Sequence, residues 1–217
     1  MKFDRSKLEA YLKLYIVSDR FWLDGRELRD DIAKTIEGGV TFVQLREKEL
    51  DDASFIDEAW QLKALCEERH IPFVINDNIH IAKLVDADGV HVGQSDASVI
   101  MARAMLGEDK IIGVSAQNVE DALLAQQEGA DYIGVGAVFS TSTKKDADDV
   151  SMDTLKAITA AVNIPVIAIG GIDEHNVMQL KGSGIVGVAV ISAILGKENI
   201  YQATQLLCKK TEEMLHV

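Results

Sequence analysis

Gln44, Arg46 and Lys48 stand two residues apart where the apolar run 41–46 gives way to polar residues. On an extended strand alternate side chains share a face, so these three point one way while Val43 and Leu45 point the other. Three such positions cover about 13 Å at ~3.3 Å per residue, enough to reach from a buried ring to a diphosphate. Arg46 offers a planar fork suited to phosphate oxygens, and Lys48 a mobile ammonium. An arginine aimed into a protein interior without a partner is costly, which favours a bound anion over a solvated loop end. Lys48 taken alone reads equally well as a solvated residue.

Two aspartates follow the next two apolar runs, Asp77 after 73–76 and Asp96 after 89–92. Magnesium usually takes one or two protein carboxylates and completes its octahedron with substrate phosphate and water. Either aspartate could instead cap the helix that follows it. With Arg46 and Lys48 nearby the metal reading takes precedence. His91, inside the run 89–92, reads as a hydrogen-bonded core histidine facing away from Val90 and Val92. Ser115 has no base beside it in sequence, so it suits a hydrogen bond to a substrate ring better than a nucleophile's role. Thr141, Ser142, Thr143 and Lys144 lie in a polar stretch of roughly a dozen residues, long for a strand-to-helix connection and lid-like, although a solvated loop is the plainer reading. Gly170-Gly171 and Ile191-Ser192 end the last two apolar runs. Glycine and exposed amides there suit a monophosphate, or simply a tight turn.

Those residues need a frame that brings strand ends together. Short apolar runs at 14–18, 41–46, 73–76, 89–92, 111–115, 132–138, 166–169 and 185–191 alternate with helical patterns at 26–37, 52–69, 79–84, 98–106, 119–128, 152–161, 174–181 and 200–215. Such alternation predicts parallel strands with helices on the outer face. Eight units in 217 residues predict a single (β/α)₈ barrel of the TIM type over 1–217, with an amphipathic helix before residue 14 covering its floor. No glycine fingerprint follows the first run, which argues against a doubly wound sheet. In a barrel the chemistry belongs at the C-terminal ends of the strands, where the candidate ligands named above, His91 apart, fall. Two anion sites result. Arg46, Lys48, Asp77 and Asp96 suit a diphosphate with a metal, and Thr141, Thr143, Gly171 and Ser192 suit a monophosphate. The residues thus point to a magnesium-dependent barrel enzyme with two phosphorylated substrates.

Composition agrees. A net charge of −13 and a pI near 4.8 disfavour nucleic acid and anionic membrane as partners. Cys66 and Cys208 lack disulfide or metal spacing and read as free thiols. The charged N-terminus has no signal-peptide pattern, and no segment has the ~20 apolar residues needed to span a bilayer, which predicts a cytoplasmic protein. A homo-oligomer is compatible with the sequence.

The segments QLREK, the pair Asn76-Asp77, DGVHVGQSD, IGVS, GADYIGVG with TSTKK, AIGGI and AVIS occur in one order between residues 14 and 192. In this the chain resembles the thiamin phosphate synthase family. The resemblance implies a transferase that joins 4-amino-2-methyl-5-hydroxymethylpyrimidine diphosphate to 4-methyl-5-(2-phosphooxyethyl)thiazole, with Mg²⁺ as cofactor. It implies that Arg46, Lys48 and Lys144 act on the reacting groups, that Gln44, Asn76 and Ser115 contact the pyrimidine diphosphate, and that Asp77 and Asp96 bind magnesium. Thr141, Ser142, Thr143, Gly171, Ile191 and Ser192 then hold the thiazole phosphate. The family's reaction is dissociative: diphosphate leaves, a pyrimidine methylene cation forms, and the thiazole nitrogen captures it. That chemistry asks for charge stabilisation rather than a catalytic triad. Gln117 stands where relatives often carry histidine, and Ala137 and Ser140 where prolines are usual. A thiazole tautomerase on the same barrel is disfavoured by both aspartates and by Gln117. A phosphate-ester sensor without catalysis is disfavoured by the metal pair and loop cations, and a sugar-phosphate isomerase has no need of paired aspartates.

Overall fold

Runs rich in Val, Ile, Phe and Tyr form eight short strands, because such side chains pack well on a pleated surface. They are β1 Leu14–Val17, β2 Phe42–Leu45, β3 Phe73–Asn76, β4 Gly89–Val92, β5 Ile111–Ala116, β6 Tyr132–Val135, β7 Val166–Ile169 and β8 Gly187–Val190. The computed structural model describes residues 5–93, 98–140 and 150–216. All pairings are parallel and β8 returns to β1, closing the barrel in the order β1 to β8. The expected (β/α)₈ architecture is therefore present.

The helices are α1 Leu8–Tyr11, α2 Leu28–Glu37, α3 Asp52–Arg69, α4 Ile79–Leu84, α5 Val99–Leu106, α6 Val119–Gln127, α7 Met152–Ala161, α8 Ser192–Leu195 and α9 Ile200–Leu215. Side-chain caps start many of them: Asp51 accepts the amide of Ser54, Asn78 that of Ile81, Ser98 that of Met101, and Ser151 that of Thr154. Each cap satisfies an amide that a helix start leaves unpaired.

Strand alternation splits the apolar residues into two cores. Val43, Leu45, Ile75, Val90 and Val92 face the helices in the outer core. Tyr15, Phe42, Val74, Ile111, Tyr132, Ile167 and Ala189 fill the barrel interior. Leu8 and Leu12 close the floor from the N-terminal segment, as expected. A fully buried side chain of this size contributes about 1.5–3 kcal/mol.

Two expectations change. The helix expected over 174–181 is only a 3₁₀ turn, Val177–Leu180. Asp173 Oδ1 takes the amides of His175 and Asn176, and Asn176 Oδ1 takes that of Asp173. These side-chain bonds close a turn directly ahead of that 3₁₀ turn. The cap alternative for Asp77 also fails, because Asn78 fills that role.

Candidate active site

At the mouth, Ser18 joins the ends of β1 and β2: its Oγ accepts the Arg46 amide at 2.8 Å and donates to the Arg46 carbonyl at 3.2 Å. The Arg46 guanidinium lies 3.4 Å from Asp19 Oδ2 and is only partly exposed. The charge expected to point inward thus already has a carboxylate beside it.

Glu47, between the two expected phosphate ligands, is nearly sealed from solvent, with 3% of its side chain exposed. Its Oε1 accepts the amides of Lys48 and Glu49 at 2.8 and 3.0 Å, and its Oε2 accepts Arg20 Nε at 2.9 Å. Arg20 also forks onto both oxygens of Glu58 at 2.7 and 2.9 Å. Burial works to raise the Glu47 carboxyl, but the Glu49 and Lys48 amides and Arg20 outweigh it and hold it below the usual carboxylate range. Glu58 moves the other way, because burial there exceeds what Arg20 returns. The result is a pinned turn that carries Lys48 outward.

Lys48 Nζ approaches Asp77 Oδ2 at 3.7 Å. Asp77 has φ +62°, and its amide donates to the His91 carbonyl at 2.8 Å, so the residue is twisted across the ends of β3 and β4. A left-handed backbone suits Asp or Asn but strains most other residues. Lys48, Asn76 and Asp77 line one cavity of about 520 Å³ with Glu47, His80 and Met105. The structure therefore brings Arg46, Lys48, Asn76 and Asp77 to one rim.

Inside the mouth, Gln44 is buried and its Nε2 donates to Tyr15 Oη at 2.6 Å. Tyr15 and Tyr132 hydroxyls meet at 2.9 Å. His91 Nδ1 lies 2.9 Å from Tyr132 Oη, and His91 Nε2 lies 3.1 Å from Ser115 Oγ. His91 faces the interior as expected. Ser115 does have an imidazole beside it in space. The far nitrogen of that ring faces the Tyr132 phenol.

Across the barrel, Gly171 follows β7 with φ +63°. A Cβ there would fall 2.6 Å from the Phe139 and Ser140 carbonyl oxygens. Glycine is thus required by the start of the sixth loop, whether or not a phosphate approaches. Ile191 and Ser192 start α8 directly after β8. Gln117 is exposed at the end of β5, its amide 3.3 Å from Asp121 Oδ2. Ala137 is buried and its carbonyl accepts Val150 N at 2.7 Å. Asp96, Thr141, Ser142, Thr143 and Lys144 lie outside the described residues.

Sequence reasoning missed Asp19, Arg20, Glu47, Glu58, Tyr15 and Tyr132. One signal was available: Gly113 on β5, where a Cβ would come 2.1 Å from Tyr132 Cζ, marks a large ring in the barrel.

Among the described residues, no three His, Cys, Asp or Glu side chains converge as for a metal. Magnesium needs only one or two carboxylates, with oxygens of substrate and water completing the shell. Asp77 fits that demand chemically: its carboxylate is a hard oxygen donor, not spent on capping α4, at a rim that also carries Lys48.

A sequence model of the family described as thiamine monophosphate synthase matches residues 14–194. A thiamine-phosphate synthase of Clostridium tetani is 51% identical over 194 residues, covering 89% of this chain and 93% of its own. One from Methanobrevibacter smithii is 47% identical over 199 residues, covering 92% and 95%. The structure of thiamine phosphate pyrophosphorylase from Pyrococcus furiosus superposes with TM-score 0.89 at 37% identity, over 96% of this chain and 99% of that one. The match runs from the first residue of β1 into α8 and takes in every strand end described above, and the chain belongs to the thiamine monophosphate synthase family.

Proposed function

We propose that this chain condenses 4-amino-2-methyl-5-hydroxymethylpyrimidine diphosphate with 4-methyl-5-(2-phosphooxyethyl)thiazole, giving thiamin phosphate and diphosphate. The observation that carries it is the meeting of Lys48 and Asp77, 3.7 Å apart, in a barrel matched by the family from 14 to 194. Arg46 and Lys48 hold the diphosphate, and Gln44, Asn76 and Ser115 hold the pyrimidine. Gly171, Ile191 and Ser192, with Thr141, Ser142 and Thr143, receive the thiazole phosphate, and Lys144 adds a cation. The bond from the pyrimidine methylene to the diphosphate oxygen breaks, the electron pair leaves with diphosphate, and a new bond forms to the thiazole nitrogen. Asp77 and Asp96 would hold magnesium, whose charge favours the leaving diphosphate. The protein's further contribution is to hold the nucleophile close and keep water from the cation. Charged phosphate esters do not cross membranes, so we place the enzyme in the cytoplasm with its substrates.

Purified protein given both substrates and magnesium tests the reading. The expected result is thiamin phosphate and diphosphate in equal amounts, with neither formed when one substrate is left out. Diphosphate release indifferent to the thiazole phosphate, or no thiamin phosphate, would overturn it.

A further inference from the structure

The turn after β7 is held by its carbonyls. The Gly170 carbonyl accepts the Phe139 amide at 3.1 Å, and the Gly171 carbonyl accepts Asn176 Nδ2 at 2.7 Å. Asn176 spans the turn with both ends of its side chain, since its Oδ1 takes the Asp173 amide at 2.9 Å. Asp173 Oδ1 returns a bond to the Asn176 amide at 3.1 Å. Lys197, just past α8, adds an ion pair to Glu174 at 2.9 Å. A peptide is planar, and in its trans form the carbonyl oxygen and the next amide hydrogen point in opposite directions. Both peptides here are trans, so each engaged carbonyl fixes the line of one N–H, that of Gly171 and that of Ile172. Neither amide meets an acceptor among the described residues. Consecutive amides of this kind suit an oxyanion, to which backbone N–H groups make strong charge-assisted bonds.

We propose that Asn176 is a positioning residue: by holding the Gly171 carbonyl it aims the Ile172 amide, beside that of Gly171, at the phosphate of the thiazole substrate. This rests on the reading of Gly171 as a phosphate contact. Turned towards the substrate, the Gly171 carbonyl oxygen would repel the phosphate. Tied to Asn176, it leaves the N–H side of its peptide to face the anion. Asparagine suits the task because one amide group both donates and accepts. An ionised aspartate of the same size keeps the bond to the Asp173 amide, but it has no hydrogen for the Gly171 carbonyl and repels its oxygen. The peptide then rotates, and Gly171, with φ +63° and no Cβ, offers little resistance.

The test combines steady-state kinetics of full-length wild type and Asn176→Asp with ¹⁵N spectra of the wild type. The variant, verified as folded by circular dichroism, should raise KM for the thiazole phosphate by at least about tenfold, the size of one hydrogen bond to a charged group, and leave KM for the pyrimidine diphosphate unchanged. A merely structural role would instead move both KM values together. In the wild type, the Gly171 and Ile172 amide protons should shift downfield as inorganic phosphate or the thiazole phosphate is added. A folded Asn176→Asp with wild-type KM for the thiazole phosphate overturns the proposal. So does a rise shared by both substrates, or a wild-type Ile172 amide indifferent to both phosphates. If Asn176→Asp does not fold, the wild-type spectra still decide. Absence of thiamin phosphate from wild-type assays defeats the functional reading instead, and the amide response to inorganic phosphate then decides the role of Asn176 separately.

Discussion

Glu47 sits between two expected phosphate ligands and faces away from both, locking the turn that presents Lys48. Because its carboxyl lies below the ordinary range in the fold, its ionised contacts stabilise the turn above the unfolded pKa and are lost as pH falls through the folded one. Hydrogen bonds to a charged group contribute about 1.5–3 kcal/mol. Glu47→Gln should therefore lower kcat/KM for the pyrimidine diphosphate by about tenfold, and the fall of wild-type kcat/KM expected in acid, as Glu47 takes up a proton, should be weaker in the variant. Steady-state kinetics carried from neutral pH to well below the ordinary carboxylate value of about 4.3 checks both points. Gly113→Ala should lower Tm, because the new methyl meets the Tyr132 ring at 2.1 Å and overpacking costs about 1–3 kcal/mol. Strand alternation in the sequence was sufficient to send Gln44 inward and Val43 and Leu45 outward. It could not reveal that Glu47 bonds Arg20, 27 residues earlier, since such pairs exist only once β1 and β2 are adjacent.

Among the elements, β3, β4, β7, α3, α4, α7 and α9 have the bounds their apolar patterns implied. The run 132–138 ends as a strand at Val135, yet its remainder still reaches β7, with the Val138 amide on the Ile169 carbonyl at 3.0 Å. An apolar run marks burial near the sheet and does not mark where ladder pairing stops. The stretch 174–181 has helical periodicity, but only Val177–Leu180 closes, as a 3₁₀ turn, and Gly182 and Gly184 follow it in left-handed backbone. Start signals were ambiguous wherever two polar residues adjoin, as at Asp77-Asn78. The structure assigns the cap to Asn78, so Asn78→Ala should cost about 1 kcal/mol and lower Tm, as thermal denaturation will report. Asp77→Asn should leave Tm unchanged, because asparagine also tolerates the left-handed backbone at φ +62°. Asp77→Ala is a poorer probe, since it adds backbone strain of about 1–2 kcal/mol to the loss of charge.

At the scale of the whole molecule, the closed barrel gathers residues from distant parts of the chain at one mouth, over an interior sealed below by Leu8 and Leu12. That architecture was legible because eight strand and helix patterns fit 217 residues in one way. The same enclosure governs the thiols. Burial pushes Cys66 well up and Cys208 less so, and Cys66 is fully buried whereas Cys208 is partly exposed. A disulfide reagent should therefore label Cys208 first in native protein, with Cys66 reacting only on unfolding, as a two-phase thiol titration will show. Activity as proposed requires one rim to combine cationic side chains with a magnesium carboxylate and so release diphosphate. Diphosphate release followed against magnesium concentration, with both substrates saturating, tests this most directly in wild type and Asp77→Asn. Saturable magnesium dependence is expected in the wild type, with a loss of about 100-fold in the variant, the size expected for removing one charge-stabilising group. Turnover near wild type in Asp77→Asn, or wild-type release untouched by chelation, would contradict it.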